Sequence, residues 1–245
     1  MIRFDHKVYF DSVRKSLFHG SMNQSQVDGQ EAILNGWVAK RNSDDLRWLA
    51  YFLATSYHET SQEMQPIEEY GKGAGQPYGE PDPETGQCYY GRGFVQLTWK
   101  SNYQRADDEV GCTSVQHPEQ QLQAAIAGAT GYRGMMEGWF RSPNKFSVYF
   151  SDTTDDPFGA RDIINGDQNV IPSWSNGVSV GKLIEGYHDN FLAALEAAKR
   201  EVEVPGPDPT PQPGHVDVAI TTTDNVLVSV TVNGKLIAAA ALPVS

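Results

Sequence analysis

Cysteine is almost missing from this 245-residue sequence: Cys88 and Cys112 are the two present, and they do not share a Cys-x-x-Cys spacing. Two such residues build no disulfide framework, so a small disulfide-stapled secreted fold is excluded and both are expected as free thiols. Positive charge is also scarce. Nineteen Lys and Arg stand against 31 Asp and Glu, for a formal charge of −12, whereas proteins that grip phosphate backbones concentrate basic side chains to displace counterions. Nucleic acid is therefore not an expected partner, and charge attraction will not hold the protein on any other anionic polymer. No apolar run approaches the ~20 residues of a membrane span, and Met1-Ile2-Arg3-Phe4-Asp5-His6-Lys7 lacks the apolar stretch of a secretory signal. These absences lead to the expectation of synthesis in the cytoplasm without a signal peptide, no membrane span, and export, where it occurs, by another route.

Several catalytic signatures are missing too. His58-Glu59 suggests a zinc-protease helix, but the second histidine of His-Glu-x-x-His is replaced by Gln62. His6, His19, His117, His188 and His215 are isolated in the chain, and no spacing suits a metal, so neither metal nor cofactor is expected. A Gly-x-Ser-x-Gly elbow is lacking, and Cys88, beside Tyr89, has no partner motif that would make it a nucleophile.

What is present is a soluble, core-forming composition, 39% hydrophobic with 11% aromatics, divided by a run of alternate prolines from Pro205 to Gly214 that favours an extended spacer. The expected organisation is a main domain over 1–204, a Pro-rich linker over 205–214 and a short β-strand tail over 215–245. In the tail, Val226, Val228, Val230 and Val232 alternate with other residues and Asn233-Gly234 is a hairpin turn signal, so three short strands fit. A sheet of about thirty residues is too small to stabilise itself, and packing on the main domain or self-association is expected. In the main domain, Leu46, Leu49, Ala50, Leu53 and Tyr57 follow helical spacing after a Ser43-Asp44-Asp45 start, with Ser43 as the expected N-cap. Trp48 and Phe52 make the helix apolar all round, the mark of a buried central helix. Further helices are expected over 26–41, 116–137 and 180–201, and a long Gly- and Pro-rich loop over 71–93.

Glu59 falls at the C-terminal end of the central helix, close to Tyr57 and Phe52 in sequence. A carboxyl at an apolar helix end feels burial and the negative end of the dipole, both of which favour its protonated form and suit a proton donor. Glycoside cleavage pairs such an acid with a second carboxylate across the sugar. Glu63, Glu68, Glu69, Glu80, Asp82 and Glu84 all follow closely, and spacing alone neither chooses among them nor excludes a merely solvated Glu59.

Four segments in order carry a resemblance: Tyr57-His58-Glu59-Thr60, Met64-Gln65-Pro66-Ile67-Glu68-Glu69-Tyr70-Gly71, Tyr89-Tyr90-Gly91-Arg92-Gly93-Phe94-Val95-Gln96-Leu97-Thr98-Trp99, and Ala160-Arg161-Asp162-Ile163-Ile164-Asn165-Gly166. They resemble the family 19 glycoside hydrolases, with the phage and prophage lysozyme-like branch the best match. The first forty residues and everything after the linker lie outside the resemblance. It implies a mainly α fold, a lysozyme-like α+β glycosidase domain, here followed by the Pro-rich linker and the small C-terminal β tail. It also implies Glu59 as general acid, Glu69 as general base with Glu68 as the alternative, and Thr98 in the position of a hydroxyl that steadies the attacking water. Gln96, Asn102 and Asn165 match polar residues that line the sugar cleft, where amides serve sugar hydroxyls and N-acetyl groups as both donors and acceptors.

Each position also has a purely structural reading. Gly91 and Gly93 serve backbone conformations, Arg92 ties loops together, and Asn165 before Gly166 is a helix cap. Tyr89, Tyr90 and Trp99 are either core aromatics or sugar platforms, and Tyr90 is counted among the substrate-binding candidates. Plant chitinases of this family carry extra loops and several disulfides, which this sequence lacks, and a cleft with fewer walls favours a cross-linked, peptide-bearing glycan. The implied activity is an inverting endolysin acting on peptidoglycan glycan strands of the cell wall after release. The alternatives are a chitinase on N-acetylglucosamine polymers and, in another class, an inactive glycan-binding or virion structural protein.

Overall fold

Helix α3 (Leu46–Glu59) is the centre of the structure, a computed structural model that describes residues 2–40, 43–201, 216–222, 225–232 and 235–243. Every residue of α3 from Leu49 to Tyr57 is buried, as its all-round apolar pattern requires. Its cap is Asp45, not Ser43: the Asp45 carboxylate accepts from the Arg47 N–H, while Ser43 Oγ accepts from the Asp45 N–H at 3.1 Å. The serine therefore stabilises the turn before the helix, and the charged side chain, better suited to the exposed N–H groups, takes the cap itself.

Around α3 lie α1 (His6–Ser16), α2 (Gln24–Lys40), α5 (Ala124–Glu137) and α7 (Val180–Ala198). The buried stripe of α7, with Ile184, Phe191 and Leu195, packs against both α3 and α1. Helix α5 packs on α2 and α3, and Gly131 lets it approach: a Cβ there would stand 2.7 Å from Phe52 Cε2. A short antiparallel pair, β1 (Ile2–Phe4) with β4 (Lys199–Glu201), fastens the start of the chain to the end of α7. That pairing is why the expected 180–201 helix stops at Ala198. The expected helix over 116–137 is also shorter: a 3-10 turn occupies Pro118–Leu122, Gln123 is extended, and α5 begins at Ala124.

A smaller lobe carries the antiparallel ribbon of β2 (Ile67–Glu68) and β3 (Arg92–Gly93), with Glu68 opposite Arg92, and helix α4 (Lys100–Val110). Its own core is Tyr89, Leu97, Tyr103, Ala106, Val115 and Trp139. The expected 71–93 loop ends in β3, and up to residue 91 it is turns and irregular chain, with one 3-10 turn at Pro77–Gly79. A one-turn helix, α6 (Phe146–Tyr149), completes the helical set. The architecture is mainly α with small sheets, as expected. Among the described residues no helix is long and apolar enough to cross a membrane.

The strands β5 (Val216–Thr222), β6 (Asn225–Val232) and β7 (Lys235–Pro243) form an antiparallel meander, a unit distinct from residues 2–201. The proline-rich 205–214 segment and the Asn233-Gly234 turn lie outside the described residues, as do the side chains by which the tail was expected to pack.

Candidate active site

Glu59 ends α3 at a turn that is itself tightly specified. Thr60 Oγ1 donates to the Ser56 carbonyl at 2.7 Å and accepts from the Met64 N–H at 3.0 Å, and Ser61, Gln62 and Met64 take left-handed φ values. Met64 is fully buried, so the chain is anchored before it enters β2. Gly29 on α2 makes room for this turn, since a Cβ there would lie 1.6 Å from the Met64 carbonyl oxygen.

From the sequence, the Glu59 carboxyl is expected against Tyr57 and Phe52; its immediate neighbour is instead a buried cation. The Tyr57 hydroxyl donates to the Leu17 carbonyl at 2.7 Å, and the Phe52 ring packs on Phe94 and Tyr132. Arg161, 2% exposed and carried on the 3-10 turn Gly159–Ile163, donates from Nη1 to Glu59 Oε1 at 2.5 Å. Its other edge binds Asp167, Nε to Oδ1 at 2.5 Å and Nη2 to Oδ2 at 3.3 Å. Asn165 Nδ2 then donates to Asp167 Oδ2 at 3.1 Å. Burial alone would pull the Arg161 pKa down, but the charge of Glu59 and the bonds to Asp167 outweigh it and push it up. For Asp167 burial acts upward, and the bonds and charge of Arg161 reverse it, leaving the carboxyl below its usual range. Among the described residues Glu59 Oε2 makes no hydrogen bond, and the side chain stays 18% exposed. One oxygen is fixed and the other is free.

Asn165 is exposed and is not the helix cap, a position held by Ile164; its amide serves Asp167. Arg161 and Asp167 are the residues that sequence reasoning missed. Arg161 lies inside a motif already quoted, but nothing in its spacing points to Glu59, 102 residues away.

Glu68 closes β2 and Glu69 follows it, and the two carboxyls have separate partners. Glu68 accepts from the Tyr90 hydroxyl at 2.7 Å and lies 3.2 Å from Lys72 Nζ and 3.5 Å from Arg92 Nε. The Tyr90 hydrogen bond, with help from the two cations, holds its carboxyl below the usual range. Among the described residues Glu69 has no such cation: Oε2 accepts from the Gly91 N–H at 3.0 Å and Oε1 from the Tyr78 hydroxyl at 3.4 Å. A Cβ at Gly91 would stand 2.8 Å from Gln96 Oε1 and 3.3 Å from Glu69 Cβ, so a side chain there would displace the Gln96 amide. Glu69 and Gln96 therefore meet over the face of Gly91. Gln96 is oriented by its Nε2 donating to the Ile67 carbonyl at 3.2 Å.

Thr98 is half-buried, and among the described residues its hydroxyl has no hydrogen-bond partner. Asn102 is buried and donates to the Thr98 carbonyl at 3.1 Å. Trp99, 48% exposed, meets the Tyr78 ring edge-on at 5.2 Å, so it joins the Glu69 group through Tyr78. Tyr90 does not fit its expected substrate-binding place. It is 8% exposed, its ring is covered by the Arg92 guanidinium at 3.6 Å, and its hydroxyl is spent on Glu68. A sugar has no open face of that ring to stack on, and Tyr89 is a core aromatic. Arg92 does tie loops, donating to the Cys88 carbonyl and the Tyr103 hydroxyl, both at 3.0 Å.

Two groups thus emerge, Glu59 with Arg161, Asp167 and Asn165, and Glu69 with Gln96, Tyr78, Trp99 and the Thr98–Asn102 pair. The short segment from Thr60 to Glu69 joins them. A mainly helical body with a two-stranded ribbon lobe, carrying an acid at the end of its central buried helix, is the lysozyme-like α+β glycosidase fold. No family model matches the sequence. The structure has the fold of chitinase C from Streptomyces griseus HUT6037, with a TM-score of 0.51, 23% identity, and coverage of 79% of this chain and 76% of that one. A family 19, class IV chitinase from Zea mays superposes with a TM-score of 0.48 at 18% identity over 78% of this chain and 94% of that one. In sequence, 113 residues are 33% identical to acidic endochitinase SP2 of Beta vulgaris, covering 44% of this chain. The match spans only 37% of that relative's length.

Proposed function

We propose that the protein is an inverting glycoside hydrolase that cleaves β-1,4 glycosidic bonds of peptidoglycan, with Glu59 as general acid and Glu69 as general base. The observation that carries this is the Glu59 carboxyl, fixed through Oε1 by buried Arg161 while, among the described residues, Oε2 has no hydrogen-bond partner and the side chain stays partly exposed. A proton donor needs that arrangement, held in place yet open on one oxygen. In the reaction Glu59 gives its proton to the leaving glycosidic oxygen as the bond to the anomeric carbon breaks. A water, steadied by the Thr98 hydroxyl, loses its proton to Glu69 and attacks that carbon from the opposite face. Arg161 then stabilises the carboxylate left on Glu59, and Asp167 keeps the guanidinium oriented. Gln96, Asn102 and Asn165 supply amides for sugar hydroxyls and N-acetyl groups.

The choice of peptidoglycan, and of a phage or prophage endolysin acting on the bacterial wall after release, is supported by the resemblance of the four motifs to that branch. Both cysteines are free, and the segment between the two acids is short, in keeping with a cleft of few walls. The β tail is assigned self-association, since three strands of this length do not make a self-sufficient core. Chitin is the second reading, favoured by the partial match to the Beta vulgaris endochitinase. Digestion of purified peptidoglycan and of colloidal chitin, with mass spectrometry of the products, separates the two. Muropeptides ending in reducing N-acetylmuramic acid support the endolysin, products from chitin alone support the chitinase, and no product from either defeats the glycosidase proposal.

A further inference from the structure

The loop over 170–179 springs directly from the acid's ion-pair network. Val170 N donates to the Asp167 carbonyl at 2.9 Å, and the neck is closed by Val180 N on the Val170 carbonyl at 2.9 Å and Gly181 N on the Gln168 carbonyl at 3.0 Å. Inside the loop, Ser175 donates to the Pro172 carbonyl from both N and Oγ, at 3.0 and 2.8 Å, and Val178 N donates to the Ser175 carbonyl at 3.1 Å. This is a built turn, yet its large side chains face outward: Val170, Ile171 and Val178 are exposed, and Trp174 is 63% exposed. Clustered apolar exposure of this kind marks a surface that something covers. The Trp174 ring lies 6.4 Å from the ring of His58, the residue next to Glu59. Trp174 therefore packs beside the residue that precedes the acid in α3, and the exposed Trp99 reaches Glu69 through Tyr78.

We propose that Trp174 is a sugar-stacking residue, the aromatic wall of the site on the Glu59 bank; this rests on the glycosidase reading above. The occupant is a pyranose ring of a β-1,4-linked N-acetylated glycan. One face of such a ring is lined by C–H groups and packs flat on an indole, which offers a large apolar area and few rotatable bonds to immobilise. Stacking of this kind is indifferent to charge, which suits a strongly acidic protein that must hold its substrate without cations. Ile171, three residues earlier in the same loop, is exposed as well.

The test measures binding on the full chain carrying Glu59→Gln, so that turnover does not interfere, with two probes: the soluble β-1,4 hexamer of N-acetylglucosamine and peptide-free peptidoglycan glycan strands. Trp174→Ala is expected to weaken the tighter-binding probe about tenfold or more, and Trp174→Tyr to keep most of the affinity. In the chain with Glu59 intact, Trp174→Ala is expected to raise KM with kcat little changed. Unchanged affinity and KM in Trp174→Ala overturn the stacking role while leaving the catalytic assignment standing. Trp174-dependent binding together with no turnover in the chain that keeps Glu59 upholds the stacking role and defeats catalysis by Glu59. Binding of neither probe overturns both.

Discussion

Arg161 and Glu59 stand 102 positions apart in the chain, yet the buried guanidinium of one donates to the carboxylate of the other at 2.5 Å. Asp167 grips the opposite edge of the same guanidinium, so one side chain orients the acid and is itself oriented. Arg161→Lys is expected to lower kcat by about a hundredfold, because an ammonium cannot fork between two carboxylates. Arg161→Ala leaves two acids without their cation and should also cost about 3–5 kcal/mol of stability, as breaking one side of a buried pair does. Steady-state kinetics and urea denaturation of the two variants check this.

Glu68 and Glu69 are adjacent but differently employed. Glu68→Gln removes a partner of Tyr90, Arg92 and Lys72, and turnover is expected to fall only a few-fold. Glu69→Gln is expected to cost about a hundredfold or more in kcat, the usual range for a lost general base. If the two variants behave alike, the base is misassigned.

Proton NMR of the first sugar released gives an independent test of the same pair. An inverting enzyme, with carboxyls about 6.5–9.5 Å apart, releases the α-anomer from a β-linked glycan; a β-anomer would require the retaining geometry near 5 Å instead.

Gly91→Ala is expected to lower activity with little change in thermal midpoint. The new Cβ would sit 2.8 Å from Gln96 Oε1 and 3.3 Å from Glu69 Cβ, pushing two proposed site residues apart while leaving the core of the helical lobe untouched. Enzyme assays alongside thermal unfolding separate the two effects.

Acid sensitivity should trace in part to His188. Its ring is buried against Phe150, stacked at 5.5 Å, and burial pushes its pKa below the ordinary 6.5 despite the opposing influence of Asp189. The unfolded chain then binds a proton that the folded chain refuses, so this contribution is complete above the ordinary value and is lost as pH falls below it. His58, also lowered chiefly by burial, acts in the same window. His188→Phe is expected to narrow the difference in Tm between about pH 7.5 and about pH 5, and an unchanged difference would remove His188 from the account.

Much of the helical body was legible because burial writes itself into helical spacing. Helix α3 was legible from its apolar residues alone, and the position of Glu59 followed from where that pattern stops. Helix α4 was not, since Lys100–Val110 buries only Asn102, Tyr103 and Ala106, too thin a stripe to stand out. The Ser43 cap was misjudged because Asp45, two residues on, offers the first N–H groups of the helix a charged acceptor. At the site, the resemblance located the residues but not their partners: the Arg161 bond to Glu59 spans two lobes of sequence that share no period. Tyr90 was misread because only the fold shows which side of the ribbon lies under Arg92. Trp174 sits on a loop closed by backbone hydrogen bonds, which side-chain patterns do not encode.

The most direct test of the central claim is the rate at which Glu59→Gln releases reducing ends from peptidoglycan and from the N-acetylglucosamine hexamer. The amide keeps the shape and still meets Arg161 through its oxygen, but has no proton to give the leaving group. A loss of about a thousandfold with glycan binding retained is the result expected for a general acid. Turnover within about tenfold of the unsubstituted chain would contradict it.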